Sequence, residues 1–98
     1  MDKIEFPEVG DVLYASWGYD QTNIDFYQVV RISKASVWLQ SMNQKVKQVG
    51  FMSEEVVPNE AVKGKPMVCR WNNGYAKVGY GQYAQAYDGR PKYQSHYA

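Results

Sequence analysis

The chain has 98 residues, with eleven Lys or Arg against ten Asp or Glu, one His and one Cys. A chain of that length makes one domain able to bury roughly 60 to 65 per cent of its unfolded surface, and its nearly cancelling charge excludes duplex-DNA binding through bulk basicity. A lone cysteine, Cys69, excludes an internal disulfide, and with His96 as the one histidine no zinc-type ligand set and no cofactor is expected.

The start, Met1-Asp2-Lys3-Ile4-Glu5-Phe6-Pro7-Glu8, carries charges where a signal peptide needs an apolar run, and no stretch reaches the roughly 18 apolar residues of a membrane span. A soluble protein in a reducing, cytoplasmic setting is the expectation, with no membrane partner. After Pro7 and Gly10, residues 11–17 alternate, with Leu13, Ala15 and Trp17 on one face and Val12, Tyr14 and Ser16 on the other, which predicts a strand. Residues 25–32 read the same way: Phe26, Val30 and Ile32 on one side, Tyr27 and Val29 on the other. Ser33-Lys34-Ala35-Ser36 is a polar turn. Residues 37–42 and 45–51 predict two further strands, joined by Asn43-Gln44 as antiparallel neighbours.

Residues 52–66 lose the pattern at Ser53-Glu54-Glu55, Pro58-Asn59-Glu60 and Gly64, and read as a connection with room for one helical turn. Pattern returns at 67–71, and Asn73-Gly74 predicts a hairpin whose return strand is 75–80, because both residue types tolerate the positive φ of a type I′ turn. Residues 81–88 fit two readings: Tyr80, Tyr83, Ala84 and Tyr87 at helical spacing, or Tyr83, Gln85 and Tyr87 alternating as in a strand. Asp88-Gly89 ends either one. The whole predicts a mainly β chain: a small single-domain barrel or rolled antiparallel sheet of five or six strands, SH3-like or OB-like, with at most one short helix. Such barrels carry many unrelated functions.

Charge is unevenly distributed. Residues 1–25 carry six acids with Lys3 as the one base, whereas residues 61–98 carry Lys63, Lys65, Arg70, Lys77, Arg90 and Lys92 against Asp88 alone, together with six of the nine tyrosines. Nine phenols exceed what a core this small can bury with every hydroxyl paired, so several are expected at the surface. Arg70, Tyr75, Lys77, Tyr80, Tyr83, Tyr87, Arg90, Lys92 and Tyr93 interleave aromatic and basic residues, the pattern of a stacking surface for unpaired bases. Rigid tyrosines serve equally as anchors in protein interfaces. The bland alternative packs their rings and leaves only the hydroxyls in water.

A second candidate site is the segment Ser16-Trp17-Gly18-Tyr19-Asp20-Gln21-Thr22-Asn23. A turn needs only Gly, Asn or Asp to bend, so Trp17, Tyr19, Asp20, Gln21, Thr22 and Asn23 gathered there predict a surface that grips a partner. Trp17, Trp38 and Trp71 are otherwise core or half-buried residues, with Trp17 the expected exception. Catalysis is not expected. Cys69, His96 and an acid such as Asp20 or Asp88 supply the residue types of a cysteine nucleophile, yet Cys69 sits in a strand pattern as a small hydrophobe and His96 lies two residues from a chain end. Asp20 and Asp25 are explained as turn and strand-start residues. Gly79 and Gly81 lack the spacing and the following Lys-Ser or Lys-Thr of a phosphate loop.

The block Ser16 to Asn23 with Asp25-Phe26-Tyr27-Gln28-Val29, and the tail Tyr87-Asp88-Gly89-Arg90-Pro91-Lys92-Tyr93-Gln94-Ser95-His96-Tyr97, resemble a group of short, functionally uncharacterised proteins encoded by bacteriophages and mobile elements. The blocks cover about a quarter of the chain; the family tail usually has Trp at the position of Tyr87 and Lys at that of Arg90. The resemblance implies a genomic setting and no catalytic residues. With the residue pattern, it leads to the expectation of a non-enzymatic accessory protein that binds a host or viral protein, with single-stranded nucleic acid as the alternative partner.

Overall fold

The computed structural model of the protein describes residues 6–18, 22–50, 53–62, 64–72, 74–79 and 81–95. Regular structure in them is all strand: β1 (Val12–Trp17), β2 (Asn23–Ser33), β3 (Ser36–Gly50), β4 (Ser53–Ala61), β5 (Met67–Asn72), β6 (Tyr75–Gly79), β7 (Gln82–Ala86) and β8 (Lys92–Ser95). Among the described residues no helix is long and apolar enough to cross a membrane.

β1 pairs antiparallel with β2 from Val12 opposite Gln28 to Trp17 opposite Asn23, and its other edge meets β7 at Leu13 opposite Ala86. The sheet continues through β6, β5 and β3, and β3 returns to β2 with Val29 opposite Leu39, closing the ring. β4 and β5 both run against β3, β5 along 36–39 and β4 along 42–50. They act as one strand broken at 62–66, where the Val62 N–H donates to the Ser41 carbonyl at 2.7 Å. The result is a six-stranded antiparallel closed β-barrel with β8 as one extra strand, added to β4 from Ser53 opposite Ser95 to Val56 opposite Lys92. Closure removes the unpaired edges that a sheet of this size otherwise exposes.

Two cores result. Leu13, Ala15, Tyr27, Val29, Val37, Leu39, Cys69, Trp71, Ala76 and Ala84 fill the barrel. Ile24, Phe26 and Val56, flanked by Val12, Tyr14, Met42 and Tyr87, form a second cluster on the barrel's outer side, beneath β4 and β8. β2 is the wall between them: period-2 alternation sends Tyr27 and Val29 inward while Ile24 and Phe26 face the second cluster, so both faces of its first half are buried. A bulge between Val29 and Arg31 then ends this two-sided burial, and Val30 and Ile32 are exposed. Burial pushes the Tyr27 phenol up to about 12, aided by the nearby Asp25 carboxylate and Cys69, and burial likewise raises the Cys69 thiol.

Two expectations are corrected and one open reading is settled. Asn43-Gln44 is no turn: β3 runs through it as a single 15-residue strand, with a ladder irregularity between Met42 and Gln44. Nothing at 43–44 forces a reversal, and the Gln44 Nε2 donates to the Ile24 carbonyl, which holds the strand on course. Residues 53–61 form a strand instead of a connection. Pro58 lies past the end of the β8 pairing at Val56 and opposite Gln44, next to the ladder irregularity between Met42 and Gln44, where a missing N–H is tolerated. Residues 81–88, open between helix and strand, contain strand β7. The hairpin after β5 stands as expected, with Asn72 opposite Tyr75 and Gly74 at φ 88°; Asn73 lies outside the described residues.

Candidate functional site

The outer surface of β5, β6 and β7 gathers the largest share of the predicted basic and aromatic residues. In β5, Cys69 and Trp71 point into the barrel, which turns Val68, Arg70 and Asn72 outward. Ala76 and Ala84, both fully buried, face inward from β6 and β7 and leave room for the Trp71 indole. Tyr75, Lys77 and Tyr83 are therefore held outside by strict alternation. Register then brings them together. Asn72 lies opposite Tyr75 and Lys77 opposite Tyr83, and Arg70 shares the outward parity of Asn72 on β5.

These side chains line a groove of about 320 Å3 formed by Arg70, Asn72, Tyr75, Lys77 and Tyr83. The Tyr75 and Tyr83 rings meet edge to face at 6.5 Å and 76°, with 37% and 52% of these residues exposed. Edge-to-face packing fixes each ring while both residues stay partly exposed. Among the described residues neither Arg70 nor Lys77 makes an ion pair, and the chain has no acid anywhere between residues 61 and 87. The groove thus combines two partly exposed aromatic rings with two cations that make no ion pair among the described residues. It can stack planar groups and attract phosphate.

The other residues of the predicted stacking surface lie elsewhere. Tyr87 packs edge to face on Phe26 at 5.2 Å and on Tyr14 at 6.2 Å, as part of the second cluster. Burial raises its phenol, the Asp88 charge adds to this, and Lys92 opposes it. Lys92 pairs with Asp88 at 3.1 Å and lies over the Tyr14 ring at 4.4 Å, so its charge is already engaged. Arg90 is exposed, and its N–H donates to the Asp88 carboxylate at 3.0 Å; this bond, then Lys92, holds the Asp88 carboxyl below its usual range. Tyr80 and the Tyr93 side chain lie outside the described residues. The tail is therefore a fastening for β8, separated from the groove by its structural contacts.

In the second candidate site, the Trp17 indole is 39% exposed at the barrel end, and its Nε1 donates to the Asp25 carboxylate at 2.6 Å. Asn23 pairs with Trp17 across the β1–β2 ladder, and Thr22 is exposed. Tyr19, Asp20 and Gln21 lie outside the described residues, as does His96. Asp25 is tied to Trp17, and Cys69 is enclosed in the barrel core. Asn72 is the groove residue that the sequence reading missed. Its signal was present: it has the parity of Arg70 and immediately precedes the Asn73-Gly74 turn. No protein-family model, curated protein or solved structure matches the chain.

Proposed function

We propose that this protein is a non-enzymatic binder of single-stranded nucleic acid, using the groove of Arg70, Asn72, Tyr75, Lys77 and Tyr83. The observation that carries the reading is the placement of two outward tyrosines beside two cations that make no ion pair among the described residues. Unpaired bases stack on such rings without regard to sequence, and the cations take the backbone phosphates. An accessory role in a bacteriophage or mobile element, in the cytoplasm of its host, is supported by the two sequence blocks. The buried position of Cys69 supports a non-catalytic role.

The test is a fluorescence titration with a mixed-sequence single-stranded oligonucleotide at low and moderate salt. Saturable quenching that weakens with salt is expected, and Tyr83→Ala should lower affinity by roughly 5- to 150-fold, since one stacked base contributes about 1–3 kcal/mol. Absence of quenching at both salts removes this reading.

A second reading, a host or viral protein gripped by the segment from Trp17 to Asn23, rests on the partly exposed Trp17 ring held by Asp25. Aromatic anchors of this kind dominate protein interfaces. Its test is capture of a partner that survives moderate salt and is lost in a folded Trp17→Ala, Tyr19→Ala double variant.

A further inference from the structure

The outward surface of β5 does not end at the groove; it continues across β3 to β2. Val68, two residues from Arg70 and 57% exposed, lies opposite Trp38. Trp38 lies opposite Arg31, whose guanidinium carbon sits 4.8 Å from the centre of the indole ring. Ser36, two residues from Trp38, lies opposite Arg70 and joins the two regions. The bulge between Val29 and Arg31 is what makes this possible, because it resets the alternation of β2 and brings Arg31 out beside Trp38. No acid occurs between residues 26 and 53, so this part of β2 and β3 carries no countercharge of its own.

We propose that the nucleic-acid site extends across five adjacent strands, from Tyr83 on β7 to a third contact station made by Arg31 over Trp38 on β2 and β3. The proposal rests on the reading of the groove given above. Because the barrel is closed, a strand that runs from Tyr83 to Arg31 by way of β6, β5 and β3 follows the curved outer surface through four of the six inter-strand steps, roughly 19 Å at about 4.8 Å per step. The shorter way round, by β1, carries none of these contacts. That span exceeds what a di- or trinucleotide covers and matches the lower end of the site sizes of about 4–16 nucleotides seen on single small barrels. Arg31 is suited to the far end. A guanidinium held over an indole offers both a plane for a base and a charge for a phosphate. Val68 supplies an apolar, uncharged floor between the stations. The ligand class is therefore a continuous unpaired strand, and a free mononucleotide or a very short oligomer fills only the groove.

The experiment compares oligothymidylates of about three and about eight nucleotides for wild type, Arg31→Ala and Arg31→Lys, with oligouridylates run beside them to assign DNA or RNA as the source. Arg31 is exposed, so both variants retain the barrel. The expected result is tighter binding of the longer strand by wild type, a loss of about 5- to 10-fold for that strand in Arg31→Ala, and no change for the shorter one. Arg31→Lys should keep the salt dependence of wild type while recovering only part of the affinity. Equal binding of both lengths, or an Arg31→Ala effect that is absent or independent of length, overturns the extension and leaves the groove reading intact. Failure of wild type to bind either length removes both.

Discussion

Gln94 joins three strands through one side chain: its Oε1 accepts the Ile24 N–H at 3.1 Å, and its Nε2 donates to the Glu54 carboxylate at 2.6 Å. Ile24 needs this partner because β3 parts from β2 beyond Met42, leaving the first residues of β2 without a ladder neighbour on that edge. Gln44 completes the repair by donating to the Ile24 carbonyl. Two glutamines thus replace backbone pairing at the point where the barrel wall opens to admit the second cluster.

Gln94→Ala should therefore destabilise the protein by about 1–3 kcal/mol, the cost of leaving the Ile24 N–H buried and unpaired. Urea unfolding measures this. A loss smaller than about 0.5 kcal/mol, within the range of ordinary surface changes, would show that water replaces the amide and that Gln94 is no keystone.

Alternation made the barrel legible. Leu13 and Ala15, Tyr27 and Val29, and Cys69 and Trp71 follow period 2 and are all buried in one core. Four of the five groove residues, Arg70, Tyr75, Lys77 and Tyr83, were legible from their interleaved basic and aromatic types, although the segment that carries Tyr83 fitted a helix as well as a strand. What was not legible depends on long-range pairing. Tyr87 and Lys92 look in sequence like more of the same basic and aromatic surface, yet β8 pairs with β4 and carries them to the second cluster instead. Arg31 and Trp38 come together only because a bulge shifts β2 by one residue, and no local pattern announces it. The strand at 53–61 was hidden for a related reason: Glu54, Glu55 and Pro58 are poor strand formers, and β4 exists because β3 offers it a long template.

Tyr27 predicts a loss of stability at alkaline pH. Its phenol is raised from 10.0 to about 12 in the folded protein, so the native state keeps a proton that the unfolded chain releases. The stabilising contribution is complete below pH 10 and disappears as pH rises toward 12, amounting to about 2–3 kcal/mol across that window. Tyr27→Phe should flatten this part of the pH profile. If wild type and Tyr27→Phe lose stability in parallel between pH 10 and 12, burial of the phenol is not the cause.

Asp88 predicts the opposite sign at acid pH. Its carboxyl is held below the usual range by the Arg90 N–H and by Lys92. The contribution it makes to fastening β8 is therefore present above the unfolded carboxyl value and lost as pH falls through the folded one. Carboxyl titration followed by NMR should show a depressed Asp88 midpoint in wild type that returns to the ordinary range in a Lys92→Met, Arg90→Pro double variant. An ordinary midpoint in wild type rules out the pairing.

Cys69 should react with a thiol reagent only as fast as the protein unfolds. It is 5% exposed within the barrel, and burial raises its thiol, so both access and thiolate population are low. Stoichiometric labelling of the folded protein within seconds would contradict the buried placement and reopen the possibility of a cysteine nucleophile.

Arg70 and Lys77 give the sharpest test of how the groove works. If each neutralises one phosphate, binding of a single strand should weaken with salt with a slope of about −1.4 in log K against log salt from these two residues, at about −0.7 per phosphate. Arg70→Gln and Lys77→Gln should each reduce the slope by about 0.7, and the double variant should remove both contributions. Stability should not change, because both side chains are exposed and unpaired among the described residues. The tyrosines separate the two parts of the affinity. Tyr83→Ala removes a stacking surface and no charge, so it should weaken binding at every salt concentration by the same factor and leave the slope unaltered. A slope that falls in Tyr83→Ala, or one that persists in the Arg70→Gln, Lys77→Gln double variant, would place the phosphate contacts on another part of the barrel.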